Sequence, residues 1–110
     1  MAVFANIVAD QGSTFAATIT VTGSNGVDAA DLTGFSAAGQ ARRTFKSATA
    51  YPFTVTVSNP TLGLLTLALT AVQTEAMVGR YFYDVEVTAA SGEITRVIEG
   101  QLTVSPGITR

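Results

Sequence analysis

Three carboxylates late in the chain have the types and spacing that chemistry would need. Asp84 and Glu86 stand one residue apart in the run Tyr81-Phe82-Tyr83-Asp84-Val85-Glu86. On an extended strand they share a face at roughly 7 Å. Glu99, on the returning strand of the same hairpin, can join them, and such a group permits a paired-carboxylate reading with one acid and one base. Arg80 and Arg96 fall in that hairpin too, and cross-strand ion pairing on a wet face explains the cluster more simply. No other catalytic arrangement is visible. The chain has no histidine, which removes the commonest general base and the commonest metal ligand together. Serines and threonines abound, but nothing activates one and no GxSxG elbow occurs. The glycines are spread one per turn and form no phosphate loop. Asp28 and Asp31 are too few for a calcium loop and sit where turns are expected. The expectation is a protein that is not an enzyme, with no cofactor and no metal.

Arg42, Arg43 and Lys46 form the basic cluster, with Phe45 beside them. Basic residues interleaved with an aromatic can bind nucleic acid. Here the formal net charge is -2, and a three-charge patch holds phosphate feebly and loses it in salt. A solvated strand end or a protein–protein rim is the better expectation, and no nucleic acid is expected as a partner. Phe4, Val8, Phe45, Tyr51 and Phe82 fall outside the core stripes described below, and exposed apolar residues of that kind mark a partner surface. The candidate interface is therefore Phe4, Val8, Arg42, Arg43, Phe45, Lys46 and Tyr51. The loop Ser47 to Pro52, small and polar, reads as an exposed tip. An N-terminal strand left unpaired would suit strand exchange or edge pairing.

The elements that position these residues alternate with period two. Phe15, Ala17, Ile19 and Val21 share one face, with Thr14, Thr18, Thr20 and Thr22 on the other. Phe53, Val55 and Val57 repeat the pattern, as do Leu65, Leu67 and Leu69. Tyr81, Tyr83, Val85 and Val87 oppose Phe82, Asp84, Glu86 and Thr88, and Ile98, Gly100, Leu102 and Val104 make a last stripe. Phe35 to Ala41 is a weaker strand built from small residues, and Val3 to Ala9 is a further strand with poorly distinguished faces. Gly23-Ser24-Asn25-Gly26 and Ser91-Gly92 read as hairpin turns, and Ser58-Asn59-Pro60 as a break. Asp31-Leu32-Thr33-Gly34 reads as a corner in which Asp31 accepts from a backbone N–H and Leu32 plugs one end. Thr70 and Gln73 match a capping box. This predicts a short helical turn near residues 71–77, with Val72, Ala76 and Met77 packed over an open end.

At 110 residues and 47% apolar content, one domain with its own core is expected over residues 1–110. Cysteine is absent, so no disulfide contributes. The opening MAVFANIVAD lacks a basic segment and reaches Asp10 early, which predicts no signal peptide and synthesis in a cytoplasm. No apolar run approaches the ~18 residues of a membrane span, and no membrane partner is expected. The fold class predicted is all-β: an immunoglobulin-like antiparallel β-sandwich of about seven strands with one short helical turn.

The order of motifs carries a resemblance. Asp10-Gln11-Gly12-Ser13-Thr14-Phe15 precedes a Thr-rich strand, then Asp31-Leu32-Thr33-Gly34-Phe35. Later come Leu69-Thr70-Ala71-Val72-Gln73-Thr74, Gly79-Arg80-Tyr81-Phe82-Tyr83-Asp84, Thr95-Arg96-Val97-Ile98-Glu99-Gly100 and Val104-Ser105-Pro106. The series resembles small immunoglobulin-like proteins of tailed bacteriophages, and is similar to the N-terminal domain of phage baseplate upper proteins. That resemblance implies a virion structural protein, a tail or baseplate adaptor made in the host cytoplasm. It also implies other virion proteins as partners, in a symmetric multi-copy assembly, and no catalytic residue. A capsid decoration or head-fibre protein is the alternative. A carbohydrate-binding adsorption module is a third, which the absence of Trp disfavours.

Overall fold

The computed structural model describes residues 3–21 and 31–107. The Gly23–Gly26 turn and Asp28 lie outside the described residues. The strands are β1 (Val3–Phe4), β2 (Ile7–Asp10), β3 (Phe15–Thr20), β4 (Ser36–Arg42), β5 (Tyr51–Asn59), β6 (Leu64–Leu69), β7 (Gly79–Thr88) and β8 (Ile94–Ser105). A helix, α1, spans Ala71–Glu75. The protein is an all-β, immunoglobulin-like sandwich. β1 and β2 are two halves of one N-terminal strand beside β8, followed by β7, β4 and the start of β5. The second sheet holds the rest of β5, then β6 and β3. β5 serves both sheets, because Tyr51 and Phe53 pair with β4 while Thr54 to Asn59 pair with β6.

The period-two stripes meet between the sheets. Leu65, Leu67, Leu69, Phe53, Tyr81, Tyr83, Val85, Val87, Ile98, Leu102 and Val104 are all buried. One end closes as the corner predicts. Asp31 Oδ1 accepts from the Thr33 N–H at 3.0 Å and the Thr33 hydroxyl at 2.6 Å, which drives Leu32 inward. Gly34 completes the corner at φ +82°. At α1 the capping box forms from both sides, Thr70 with Gln73, and Met77 is buried. Val72 and Ala76 depart from expectation. Val72 is 81% exposed and Ala76 also faces solvent. Thr74 takes the inner position instead, its hydroxyl donating to the Ser13 carbonyl at 2.8 Å. A five-residue helix has room to turn one face inward, and Thr74 on that face supplies a donor to the Ser13 carbonyl.

The N-terminal strand is the other departure, since it is neither unpaired nor antiparallel. Val3 and Phe4 pair in parallel with Ile98 and Glu99, and Ile7 to Asp10 with Leu102 to Ser105. Its path is set at Gly100, where a Cβ would lie 1.9 Å from the Ala5 carbonyl oxygen. That carbonyl accepts the Tyr83 hydroxyl at 2.7 Å, and the Ala5 N–H donates to Glu99 O at 2.8 Å. Asn6 Oδ1 then accepts the Gln101 N–H at 3.1 Å, replacing a backbone acceptor.

Two outcomes follow from this lock. Gly100→Ala forces backbone against backbone and should cost about 3 kcal/mol or more. Tyr83→Phe strands the Ala5 carbonyl and should cost about 1–3 kcal/mol; urea unfolding at neutral pH measures both. Burial also raises the Tyr83 phenol above the ordinary value of 10.0. A raised folded value means stability is complete below the unfolded value and declines as pH climbs through the folded one. Alkaline titration of the melting temperature should show this loss, reduced in Tyr83→Phe.

Candidate functional site

The outward face of the β4–β7–β8–β1 sheet is a grid fixed by strand register. One row reads Arg42, Phe82, Gln101, and the next reads Gln40, Asp84, Glu99, Phe4. A third reads Ala38, Glu86, Arg96. This last row exists because of a β-bulge. Pairing steps from Val85↔Ile98 to Glu86↔Arg96, leaving Val97 as the extra residue on β8. Strand alternation alone would turn Arg96 inward with Ile98. The bulge turns it outward and leaves Val97 packed against the core.

Asp84 and Glu99 stand directly opposite one another, a like-charge pair that disfavours the sheet. Arg96 resolves this by reaching Asp84 Oδ2 at 3.3 Å and Glu99 Oε2 at 3.5 Å. Asp84, Glu99 and Arg96 form a bridged charged floor that keeps one net negative charge. Among the described residues no group of three metal-ligating side chains comes together.

Aromatic rings wall the floor. Phe45, from the β4–β5 loop, folds back to stack on Phe82 with centroids 4.7 Å apart and 23° between planes. Phe45 remains 83% exposed, and Phe4 is 67% exposed. The resulting groove, about 510 Å³, is lined by Phe4, Phe45, Phe82, Gln40, Asp84 and Glu99 among others. The loop that presents Phe45 is braced locally. Arg42 donates to the Ser47 carbonyl and to Gln40 Oε1, and the Thr44 and Ser47 hydroxyls lie 3.0 Å apart.

Of the residues the sequence singles out, Phe4, Arg42 and Phe45 line this groove. Val8 is exposed on β2 and Lys46 on the loop, both outside the groove lining. Arg43 places its guanidinium 4.5 Å over the Tyr81 ring and donates to the Val78 carbonyl, so it pins the loop to the sheet. Tyr51 is half-buried and packs edge-on against Tyr81 at 5.5 Å. It is a rim of the core and no exposed tip. Phe82, Gln40 and the carboxylates complete the site, and alternation along β7 was the signal for them, since it sets Phe82 on the polar face.

No family model matches the chain, and no curated protein matches it. Among solved structures, a family 123 glycoside hydrolase from Clostridium perfringens is similar over 97% of this chain and 24% of its own, at 16% identity and TM-score 0.41. This chain thus spans less than two thirds of that enzyme's length. AggA, the major subunit of aggregative adherence fimbriae type I from Escherichia coli, is similar over 89% of each chain, at 14% identity and TM-score 0.35.

Arg96→Ala should uncover the Asp84–Glu99 repulsion. Because all three side chains are partly solvated, the expected loss is about 0.5 kcal/mol. Urea midpoints should separate from wild type at low ionic strength and converge in about 1 M salt, where screening acts within ~3 Å.

Proposed function

We propose that this chain is a structural subunit of a tailed-phage virion, at the tail or baseplate, and that it acts by protein–protein contact without catalysis. One observation carries the protein-contact role: Phe4, Phe45 and Phe82 are held outward on one sheet face and none of them belongs to the buried core. Apolar surface kept in water is the usual mark of a partner site. The motif series from Asp10 to Pro106 supports the virion setting. In a symmetric assembly each contact can be weak, because repetition around a ring multiplies it. A capsid decoration subunit would use the same face on the shell.

A carbohydrate-binding adsorption module is the second reading. It is favoured by the aromatic wall standing beside the hydrogen-bonding groups of Gln40, Asp84 and Glu99. A glycan array separates it, since specific signal abolished by Phe45→Ala would favour sugar over protein.

Antibody labelling of purified virions tests the main proposal. Label at the tail end is expected, label over the shell moves the subunit to the capsid, and unlabelled virions overturn the assignment. Phe45→Ala loses its stacking on Phe82 and should cost about 0.5–1.5 kcal/mol, leaving the chain folded. The same substitution should remove the subunit from virions, measured by quantitative blotting against an invariant capsid band.

A further inference from the structure

β3 closes the second sheet with an edge that, among the described residues, carries none of the usual protection. Natural edge strands are blunted by charge, proline, bulges or cover. From Gln11 through Val21 there is no Asp, Glu, Lys, Arg or Pro, and the six pairs of β3 with β6 run without a register break. Among the described residues β3 pairs with β6 alone. The opposite edge differs, because the N-terminal strand is interrupted at Ala5 and Asn6 and ends on Asp10.

The direction of the free main-chain groups follows from one bond. The Val21 N–H donates to Gly63 O at 2.8 Å, so odd-numbered residues of this strand turn their main chain toward β6. Alternation then turns the N–H and C=O of Ala16, Thr18 and Thr20 outward. The apolar face also remains incomplete. Leu65, Leu67 and Leu69 on β6 are fully buried, whereas Phe15, Ile19 and Val21 beside them are only half-buried.

We infer that the outer edge of β3 pairs antiparallel with β3 of a second copy of this chain about a two-fold axis. Thr18 then sits opposite the partner's Thr18, and Ala16 opposite the partner's Thr20, each hydrogen-bonded pair exchanging both bonds. A self-pair suits this edge because the strand is uncharged, so bringing two copies together sets no like charges opposite one another. Thr–Thr cross-strand pairing is favourable. In that register the half-buried Phe15 lies opposite the partner's Val21 and Ile19 opposite the partner's Ala17, so both gain apolar cover. The contact is isologous and closes as a dimer. It is separate from the aromatic groove and does not depend on the virion assignment.

Sedimentation equilibrium of the full chain from about 10 μM to about 1 mM should show a monomer–dimer equilibrium. Thr18→Pro is the diagnostic variant. The Thr18 N–H faces outward, so proline there spares the β3–β6 ladder while blocking a second copy, and should weaken dimerisation about tenfold or more. Thr18→Lys sets two like charges at the axis and should do the same if the proline variant folds poorly. Hydrogen exchange gives an independent readout: the amides of Ala16, Thr18 and Thr20 should gain protection as concentration rises. A chain that stays monomeric throughout overturns the inference, as does a dimer that survives both variants or leaves those three amides unprotected.

Discussion

The Ala5 carbonyl oxygen occupies the space that a side chain at position 100 would need, and there it accepts the Tyr83 hydroxyl. The N-terminal strand lies beside β8 because of that contact. Gly100 supplies the gap, Tyr83 supplies a buried donor, and Asn6 repairs the ladder where the kink leaves Gln101 without a main-chain acceptor. The position of Phe4 depends on this arrangement as well, since Phe4 reaches the outer face only while β1 stays in register with Glu99.

A second constraint acts through the bulge at Val97. One extra residue reverses which side of the sheet Arg96 occupies, and so converts two opposed carboxylates into a bridged triad. The consequence is a floor in which one guanidinium relieves the repulsion between two carboxylates and one net negative charge remains. Phe45 and Phe82 then stand beside a polar, ion-paired surface. The same sandwich thus offers two different kinds of surface: an aromatic groove on one sheet and an uncharged strand edge on the other.

Much of the architecture was legible because period two is a strong signal. The stripes at Leu65–Leu69, Tyr81–Val87 and Ile98–Val104 are the core, and the capping box and Asp31 corner form as their residue types require. What stayed hidden was whatever breaks periodicity. The ion pairing of Arg96 with the carboxylates on the wet face was legible, but the bulge at Val97 that makes it possible looks like ordinary alternation in one dimension. Val3 to Ala9 has no clear inner side, and its parallel partner was invisible until Gly100 was seen as a gap instead of a stripe member. Tyr51 looked exposed because its loop is polar, yet its ring packs on Tyr81. Helical spacing at 72 and 76 promised contacts that a five-residue helix hands to Thr74.

Native-state hydrogen exchange at the Ala5 and Gln101 amides tests the central claim most directly, namely that the N-terminal strand is locked within its own chain and leaves assembly to other surfaces. The account predicts that both amides exchange as slowly as those of the β7–β8 core, opening only with global unfolding. Rapid exchange at both, with β7 and β8 still protected, would contradict it and show a strand free to leave for a neighbour.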